Sequence, residues 1–214
     1  MVGAVIMVHG DDQGLILPPK LAPIQVIVVP IWTSEEEKGQ VLAAIKGITE
    51  GFGEALRYKV DDREEHSPGW KFNEWEMRGV PLRMEIGPRD VAEGQAVLAR
   101  RDTGEKVVVA QEGLAQRIND LLEDIQQSLF QRAKRFLDEN SYYLDDYEEF
   151  KRIIEGKGGF IYAYWCGSGE CEAAIKEETR ATIRCIPFDQ EEAVGRCIYC
   201  GKEAKERVVF ARAY

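Results

Sequence analysis

The sequence predicts an α/β fold in two parts: a mixed β-sheet with helices on both faces, and then a small second α/β unit. Three observations lead to this fold class. Ile24–Val29 is an apolar, β-branched run that suits a strand buried on both faces. Ser34 and Glu37 form a capping box, which opens a helix after that strand. Four of the five cysteines lie in two close pairs near the C-terminus. A unit of roughly 70 residues buries little apolar surface, so a bound metal or another cross-link is needed to stabilise it.

The first part is predicted to follow the order β-α-β-α-β-β-β-α from Ile24 onward. Gly3–Val8 is predicted to be a strand that precedes this series, and a linker with three prolines joins the two. Ser67 followed by Pro68 is typical of a helix start and predicts a helix to about Met77. The other strands of this part are predicted at Tyr58–Val60, Leu82–Ile86, Ala96–Arg101 and Lys106–Ala110.

A long helix is predicted from Gln111 to Asn140, because its apolar residues recur in steps of three and four and form one stripe. We interpret this stripe as core and interdomain packing. In the second part, helices are predicted at Tyr142–Glu155 and Glu170–Glu178. Its strands are predicted at Phe160–Trp165, Thr182–Pro187 and Arg207–Ala213. The expected domain division is 1–22, 23–125, a connecting helix at 126–145, and 146–214.

Composition narrows the possible classes of protein. The chain has 214 residues and a formal net charge of −10, with 44% hydrophobic and 31% charged residues, as in ordinary soluble domains. Neither a membrane span of roughly 20 apolar residues nor a signal peptide is recognisable, so a cytoplasmic protein without membrane contact is expected. The acidic charge argues against a general nucleic-acid coat protein. Lys71–Lys106, however, holds seven basic and seven acidic residues, and this neutral stretch is where a polyanion is best tolerated.

The paired cysteines are the strongest chemical signal in the sequence. Cys166 and Cys171 form C-x4-C, and Cys197 and Cys200 form C-x2-C. Zinc prefers four thiolates in a tetrahedron, and this set leaves no open position for water, so a structural zinc site is predicted. Reduced free thiols, a disulfide or a redox pair are the alternatives. Cys185 lies between the pairs, alternates with apolar neighbours, and is interpreted as a small buried residue.

Motifs for catalysis are not recognisable. His9 and His66, the two histidines, lie outside any metal or hydrolase motif, and no phosphate or dinucleotide loop is found. Residues 67–90, in contrast, combine aromatic side chains with arginine, aspartate and glutamate. Such groups stack on bases and hydrogen-bond to base edges. An ion-paired helix and strand is the alternative interpretation of this segment.

Several segments resemble prolyl-tRNA synthetases of the archaeal and eukaryotic-like type. Residues 67–90, SPGWKFNEWEMRGVPLRMEIGPRD, resemble their anticodon-binding domain. Gly3–Ile31 resembles the end of class II motif 3 and the linker that follows it. The cysteine pairs and Val209–Tyr214 resemble the zinc-carrying C-terminal domain. The resemblance covers essentially the whole chain.

The resemblance implies a role in translation, because this family joins proline to its tRNA with ATP. Residues 23–125 are implied to hold the anticodon loop of tRNA(Pro) and to read two consecutive guanines. The residues implied to contact the loop are Glu76, Arg83, Arg89 and Asp90. Arg89 stands where relatives have lysine, which keeps the charge but changes the geometry. The carboxylate of Tyr214 is implied to reach toward the catalytic domain, and the family is commonly homodimeric.

The resemblance also implies what the chain lacks. Residues 1–22 match the last strand of the catalytic domain and a linker, whereas motifs 1 and 2, the proline pocket and the ATP-contacting arginine of motif 3 have no counterpart here. The chain alone is therefore expected to be inactive and to need a catalytic domain in cis or in trans. Zn2+ is the expected structural cofactor, and ATP and Mg2+ are expected only in the full-length enzyme. The alternatives are a free-standing tRNA-binding regulatory module and a structural zinc protein without an RNA role.

Overall fold

The computed structural model describes residues 2–190 and 194–212. It confirms a mixed α/β fold, with mixed sheets and helices. The chain divides into two compact units, residues 1–133 and 134–214. Within the two described ranges, no helix is long and apolar enough to span a membrane.

The first unit contains a five-stranded mixed sheet and a short hairpin. Its strands are β1 (Gly10–Asp11), β2 (Gly14–Leu15), β3 (Val26–Pro30), β4 (Tyr58–Val60), β5 (Leu82–Ile86), β6 (Gln95–Arg100) and β7 (Lys106–Ala110). Its helices are α1 (Val2–Val8), α2 (Glu35–Thr49), α3 (Pro68–Met77), α4 (Pro88–Glu93) and most of α5 (Leu114–Glu139), whose last residues belong to the second unit. The sheet order is β4-β3-β5-β6-β7. The first three of these strands are parallel, and β6 and β7 continue antiparallel.

Local sequence sets where α2 and α3 begin. The side chain of Ser34 accepts a hydrogen bond from the backbone N–H of Glu37 at 3.2 Å. The side chain of Ser67 accepts one from Trp70 at 3.3 Å, and Pro68 occupies the first turn of α3. Each bond satisfies an N–H that a helix start leaves unpaired. Both predicted helix starts are therefore confirmed.

The sheet of the first unit is packed on both faces. Helices α2 and α5 cover one face, where the core includes Val28, Val41, Leu98, Ile118 and Ile125. On the other face, Trp75 of α3 and Val80, which follows the helix, pack against Ile27 and Val29. Burial of a large apolar side chain contributes roughly 1.5–3 kcal/mol relative to exposure. These contacts fix α3 on the sheet, which matters because α3 and β5 carry Glu76 and Arg83, two of the four predicted RNA-contacting residues.

Helix α3 leaves the far end of its own sheet face open. The strand register puts Ile27, Arg83, Ala99 and Lys106 side by side across β3, β5, β6 and β7. Ile27 is fully buried beneath α3, whereas Val108, which shares the face with Lys106, is 62% exposed. The face therefore changes from a packed core to an open surface within three strands, with charged residues at the transition.

The strand predicted at Gly3–Val8 is wrong, because this segment is helix α1. As a helix, the segment satisfies its backbone hydrogen bonds internally, and the N–H of His9 continues the pattern to the carbonyl of Val5 at 2.8 Å. The next two strands along the chain, β1 and β2, pair with each other. An apolar run of this length does not by itself distinguish a helix from a strand.

The second unit contains a four-stranded sheet, a short hairpin and two helices. Its strands are β8 (Ser141–Tyr143), β9 (Phe160–Trp165), β10 (Ala181–Cys185), β11 (Gly195–Arg196), β12 (Glu203–Ala204) and β13 (Glu206–Arg212). Its helices are α6 (Tyr147–Glu155) and α7 (Gly169–Thr179). The sheet order is β10-β13-β9-β8. Its core is centred on Phe150, Ile154, Ile161, Ile175 and Phe210, all fully buried.

Three further predictions need correction. The helix predicted from Tyr142 begins later, because Ser141–Tyr143 pairs with β9 and Asp146 caps α6. The apolar stripe of α5 is buried as far as Leu129, but Phe136 and Leu137 are exposed. Cys185 is exposed and not buried, because the register between β10 and β13 shifts directly before it and such irregularities re-aim a side chain.

Candidate metal centre and nucleic-acid interface

The four predicted metal ligands come together in the second unit. Cys166 follows β9, and Cys171 lies in the first turn of α7. Cys197 and Cys200 lie on the turn between β11 and β12. Their four Sγ atoms all lie within 4.8 Å of one another. The sulfur of Cys166 is 3.7 Å from that of Cys171 and 3.7 Å from that of Cys200.

These separations fit a tetrahedral metal ion. Four sulfurs about 2.3 Å from a zinc ion stand roughly 3.8 Å apart along the edges of the tetrahedron. The same separations exclude a disulfide in this structure, since bonded sulfurs lie about 2.05 Å apart, and all four cysteines are free. The site can thus hold a metal ion with thiolate ligands, and its donor set matches the predicted one.

Backbone geometry shapes the turn that carries Cys197 and Cys200. The N–H of Gly201 donates to the carbonyl of Cys197 at 2.9 Å, and the N–H of Cys197 donates to the carbonyl of Lys202 at 2.8 Å. Gly201 has φ +69°, a left-handed conformation that favours glycine. The turn is therefore closed by backbone bonds that involve no sulfur, and it presents its two cysteines on one side.

The sulfurs differ in their electrostatic environment. Burial raises the pKa of Cys197, but hydrogen bonds from the backbone N–H groups of Cys200, Tyr199 and Cys166 outweigh it and lower the pKa to about 7. Burial and a hydrogen bond with the thiol of Cys200 raise the pKa of Cys171 to about 12. Several neighbouring thiolates without a cation would repel one another at this distance. A bound metal cation would remove that repulsion.

In the first unit, Glu76 and Arg83 lie in contact at the transition described above. Arg83 donates from Nη1 to the carboxylate of Glu76 at 2.7 Å and from Nε to Glu85 at 3.0 Å. Lys106 pairs with Glu85 at 2.9 Å. The guanidinium of Arg83 lies 4.1 Å from the ring centre of Phe72, a cation–π distance. These five residues, from α3, β5 and β7, are called the charged cluster below.

Exposure divides the charged cluster. The side chain of Arg83 is only 9% exposed, whereas that of Glu76 is 36% exposed. Lys106 is also open to solvent, at 50% of its side chain. Glu76 and Lys106 are therefore the members of the cluster that are accessible to a ligand. Arg83 lies deeper and holds the carboxylate of Glu76 by a hydrogen bond.

The other two predicted RNA-contacting residues lie at the start of α4, beyond the end of β5. Asp90 accepts a hydrogen bond from the backbone N–H of Gly87 at 2.8 Å, which caps the helix start. Arg89 is exposed. The structure therefore brings Glu76 and Arg83 into direct contact and places Arg89 and Asp90 together on a separate short helix. Tyr214 lies outside the described residues.

Sequence reasoning did not single out Asp61, which anchors α3. Its side chain is 1% exposed, and it accepts bonds from Trp75 Nε1 and from two nitrogens of Arg63, all at 2.7 Å. Lys71 donates to its backbone carbonyl at 3.1 Å. Burial raises the pKa of Asp61, but the bonds from Arg63 and Trp75 outweigh it and hold that pKa well below its usual range. Its position directly after β4 was the available signal, because polar groups collect at the carboxyl ends of parallel strands.

Segments of both units match known protein families. Residues 25–121 match the family described as "Anticodon binding domain", and residues 147–214 match "Prolyl-tRNA synthetase, C-terminal". Among curated proteins, the "Proline--tRNA ligase" of Chloroflexus aurantiacus (strain ATCC 29366 / DSM 635 / J-10-fl) is 52% identical over the whole chain and 45% of its own length. That of Rubrobacter xylanophilus is 53% identical, over the whole chain and 44% of its own length. The chain thus spans less than half the length of the curated relatives it matches.

Proposed function

Because the chain belongs to the prolyl-tRNA synthetase family and carries that family's anticodon-binding and C-terminal domains, we propose that its first unit binds the anticodon loop of tRNA(Pro). The observation that carries this proposal is the charged cluster on an open sheet face, within the segment that matches the anticodon-binding family. We propose that this unit recognises two consecutive guanines of the anticodon.

The partly exposed carboxylate of Glu76 suits guanine. A carboxylate accepts hydrogen bonds only, and guanine offers neighbouring N–H donors on its Watson–Crick edge. Arg83 keeps one oxygen of Glu76 engaged at 2.7 Å, so the carboxylate is already oriented before RNA arrives. Adenine has an acceptor at the ring nitrogen where guanine has a donor, so we propose that Glu76 rejects it.

The neighbouring groups are proposed to hold the RNA backbone and the second base. Lys106 and Arg89 are exposed cations, and contacts with phosphate supply much of the affinity of RNA-binding proteins. The ring of Phe72, half-buried beside Arg83, offers an edge for base packing. Asp90 engages Gly87 through one carboxylate oxygen, and we propose that its other oxygen contacts the second guanine.

For the second unit we propose that Cys166, Cys171, Cys197 and Cys200 bind one structural Zn2+. The tetrahedral spacing and the all-sulfur donor set support zinc. The ion would join three separate segments of a small unit, and such units gain folding free energy from a metal. The Tyr214 carboxylate is proposed to face the catalytic site when a catalytic domain is present in cis or in trans.

The joining of proline to tRNA is proposed only for a protein that also contains that catalytic domain, with ATP and Mg2+ bound there; homodimer formation is proposed for that whole protein as well. A free-standing tRNA-binding module is the second candidate, and the same RNA-binding surface supports it. An experiment with a separate catalytic domain distinguishes the two candidates. If adding this chain raises the activity of that domain toward tRNA(Pro), the chain is part of a ligase; if it does not, the free-standing module is favoured.

The proposed function is tested by RNA binding of the 214-residue chain. Fluorescence anisotropy would compare an anticodon hairpin that carries two guanines with one that carries two adenines. We expect tighter binding of the guanine hairpin, and affinity that falls as salt rises. Equal, weak binding of both hairpins would refute anticodon recognition and favour a structural metal protein.

A further inference from the structure

A chain of contacts connects the N-terminal hairpin, residues 10–15, to Glu76. Arg101 donates from Nη1 and Nη2 to the two carboxylate oxygens of Asp11 at 3.0 and 2.6 Å. The same guanidinium donates from Nε to the backbone carbonyl of Glu76 at 3.0 Å. Three of the five N–H donors of Arg101 are thus used, and its side chain is only 5% exposed.

The carbonyl of Glu76 lies in the last turn of α3, where helix carbonyls lack an intrahelical partner. It accepts from Arg101 and also from the backbone N–H of Gly79 at 2.9 Å. A cation at the C-terminal end of a helix is further favoured by the helix dipole. Asp11 therefore holds the guanidinium that fixes the backbone of Glu76, while Arg83 fixes its side chain.

Two glycines place the N-terminal hairpin against the end of α3. A Cβ on Gly14 would lie 2.5 Å from Cα and O of Met77, and a Cβ on Gly79 would lie 2.6 Å from Cβ of Leu15. Both glycines have positive φ, +128° and +76°. Leu17 also donates its N–H to the carbonyl of Gly79 at 3.0 Å. The contact is reciprocal and close, so the hairpin and the helix end cannot shift independently.

A groove of about 360 Å³ lies between the N-terminal hairpin and the turn that joins β6 and β7. Glu76 lines this groove together with Asp11, Arg101 and Thr103. The N-terminal hairpin is thus connected to the proposed RNA site in two ways: it contacts the end of α3, and it lines the same groove as Glu76.

We propose that Asp11 is a positioning residue for guanine recognition: through Arg101 it sets where Glu76 stands. This inference rests on the proposed function of the first unit. Loss of the Asp11 charge releases Arg101, which lets the last turn of α3 move and the carboxylate of Glu76 leave its place. Specificity for guanine then falls more than affinity for RNA does, because the phosphate-binding cations are untouched.

The test compares two anticodon hairpins, one with guanine and one with inosine, which lacks the exocyclic amine that a carboxylate binds. The full chain is measured as wild type, Asp11→Asn, Asp11→Glu and Asp62→Asn. Asp62→Asn is the matched control, because it removes the same charge from an exposed aspartate outside the groove. We expect the preference for guanine to fall about tenfold in Asp11→Asn, to return in part in Asp11→Glu, and to stay unchanged in Asp62→Asn.

Amide hydrogen exchange provides a measurement without RNA. We expect the N–H of Gly79, which bonds to the carbonyl of Glu76, to exchange faster in Asp11→Asn than in Asp62→Asn. An unchanged guanine preference in Asp11→Asn would overturn the positioning role, as would an equal loss of affinity for both hairpins. Equal affinity of the wild-type chain for the guanine and inosine hairpins would instead refute a carboxylate contact with the exocyclic amine, and the positioning role with it; anticodon recognition itself is refuted only by the comparison of guanine with adenine hairpins.

Discussion

The indole Nε1 of Trp75 donates a 2.7 Å hydrogen bond to the carboxylate of Asp61, and this contact ties α3 to the end of β4. Trp75 is buried on the sheet, and Glu76 is the next residue along the helix. The bond therefore fixes the helix next to the partly exposed side chain of Glu76. A buried polar group of this kind stabilises the fold only while its partners remain.

We predict that Asp61→Asn destabilises the first unit by about 2–3 kcal/mol, since the amide cannot satisfy both Arg63 and Trp75 as an anion does. Chemical denaturation monitored by tryptophan fluorescence measures the change. The matched control is Asp62→Asn, at an exposed neighbour, with an expected effect within about 0.5 kcal/mol. Equal effects of the two substitutions would show that the buried network adds no stability.

The pH dependence of stability is predicted from Asp11. Hydrogen bonds from Arg101 lower its pKa from 3.8 to about 2. A carboxyl group with a lowered folded-state pKa contributes stability that is complete above its unfolded pKa and is lost as pH falls through the folded value. We therefore expect unfolding midpoints of the wild type to fall more steeply than those of Asp11→Asn between about pH 4 and pH 2. Parallel curves for the two proteins would contradict the ion pair with Arg101.

Glycine substitutions test the close docking of the N-terminal hairpin. Gly14→Ala places a methyl group against the backbone of Met77 and requires a strained φ, so we expect a loss of roughly 2–4 kcal/mol. Gly39→Ala is the control, since Gly39 lies in α2 with open space around it. There alanine should stabilise the protein by up to about 1 kcal/mol. A neutral Gly14→Ala in denaturation experiments would mean that the hairpin is not held against α3.

Metal binding is predicted to depend on the clustered cysteines and not on Cys185. We expect one zinc ion per wild-type chain by elemental analysis, and less than one in Cys171→Ser. Cys171→Ser should also lower the unfolding temperature of the second unit. Cys185→Ser, at an exposed cysteine outside the cluster, should keep both its metal and its stability. Full zinc content in Cys171→Ser would exclude a site with four cysteine ligands.

Much of this arrangement was predictable from short sequence patterns. The caps at Ser34 and Ser67 and the two cysteine spacings are local signals, and the structure contains the helices and the cluster that they predict. The helix at residues 2–8 was not predictable, because its apolar, β-branched composition is compatible with either structure. Whether residues 2–8 form a helix or a strand depends on the strands available for pairing, and the next two strands, β1 and β2, pair with each other.

Long-range contacts account for the rest. The alternation of Arg83 and Glu85 along β5 indicates a shared face, but their burial depends on how far α3 reaches across the sheet. The bond between Asp61 and Trp75 and the ion pair between Asp11 and Arg101 join residues 14 and 90 positions apart. No local sequence pattern encodes such a pairing, because the two partners of each contact are brought together only by the tertiary fold.

The most direct test of the account is the affinity of Glu76→Gln for the two-guanine hairpin, measured beside Glu50→Gln at an exposed position on the end of α2. Glutamine keeps the size of the side chain but replaces an acceptor oxygen with a donor. We predict that Glu76→Gln binds about 1–3 kcal/mol more weakly and that Glu50→Gln binds like the wild type. Wild-type affinity in Glu76→Gln would contradict guanine recognition by this carboxylate.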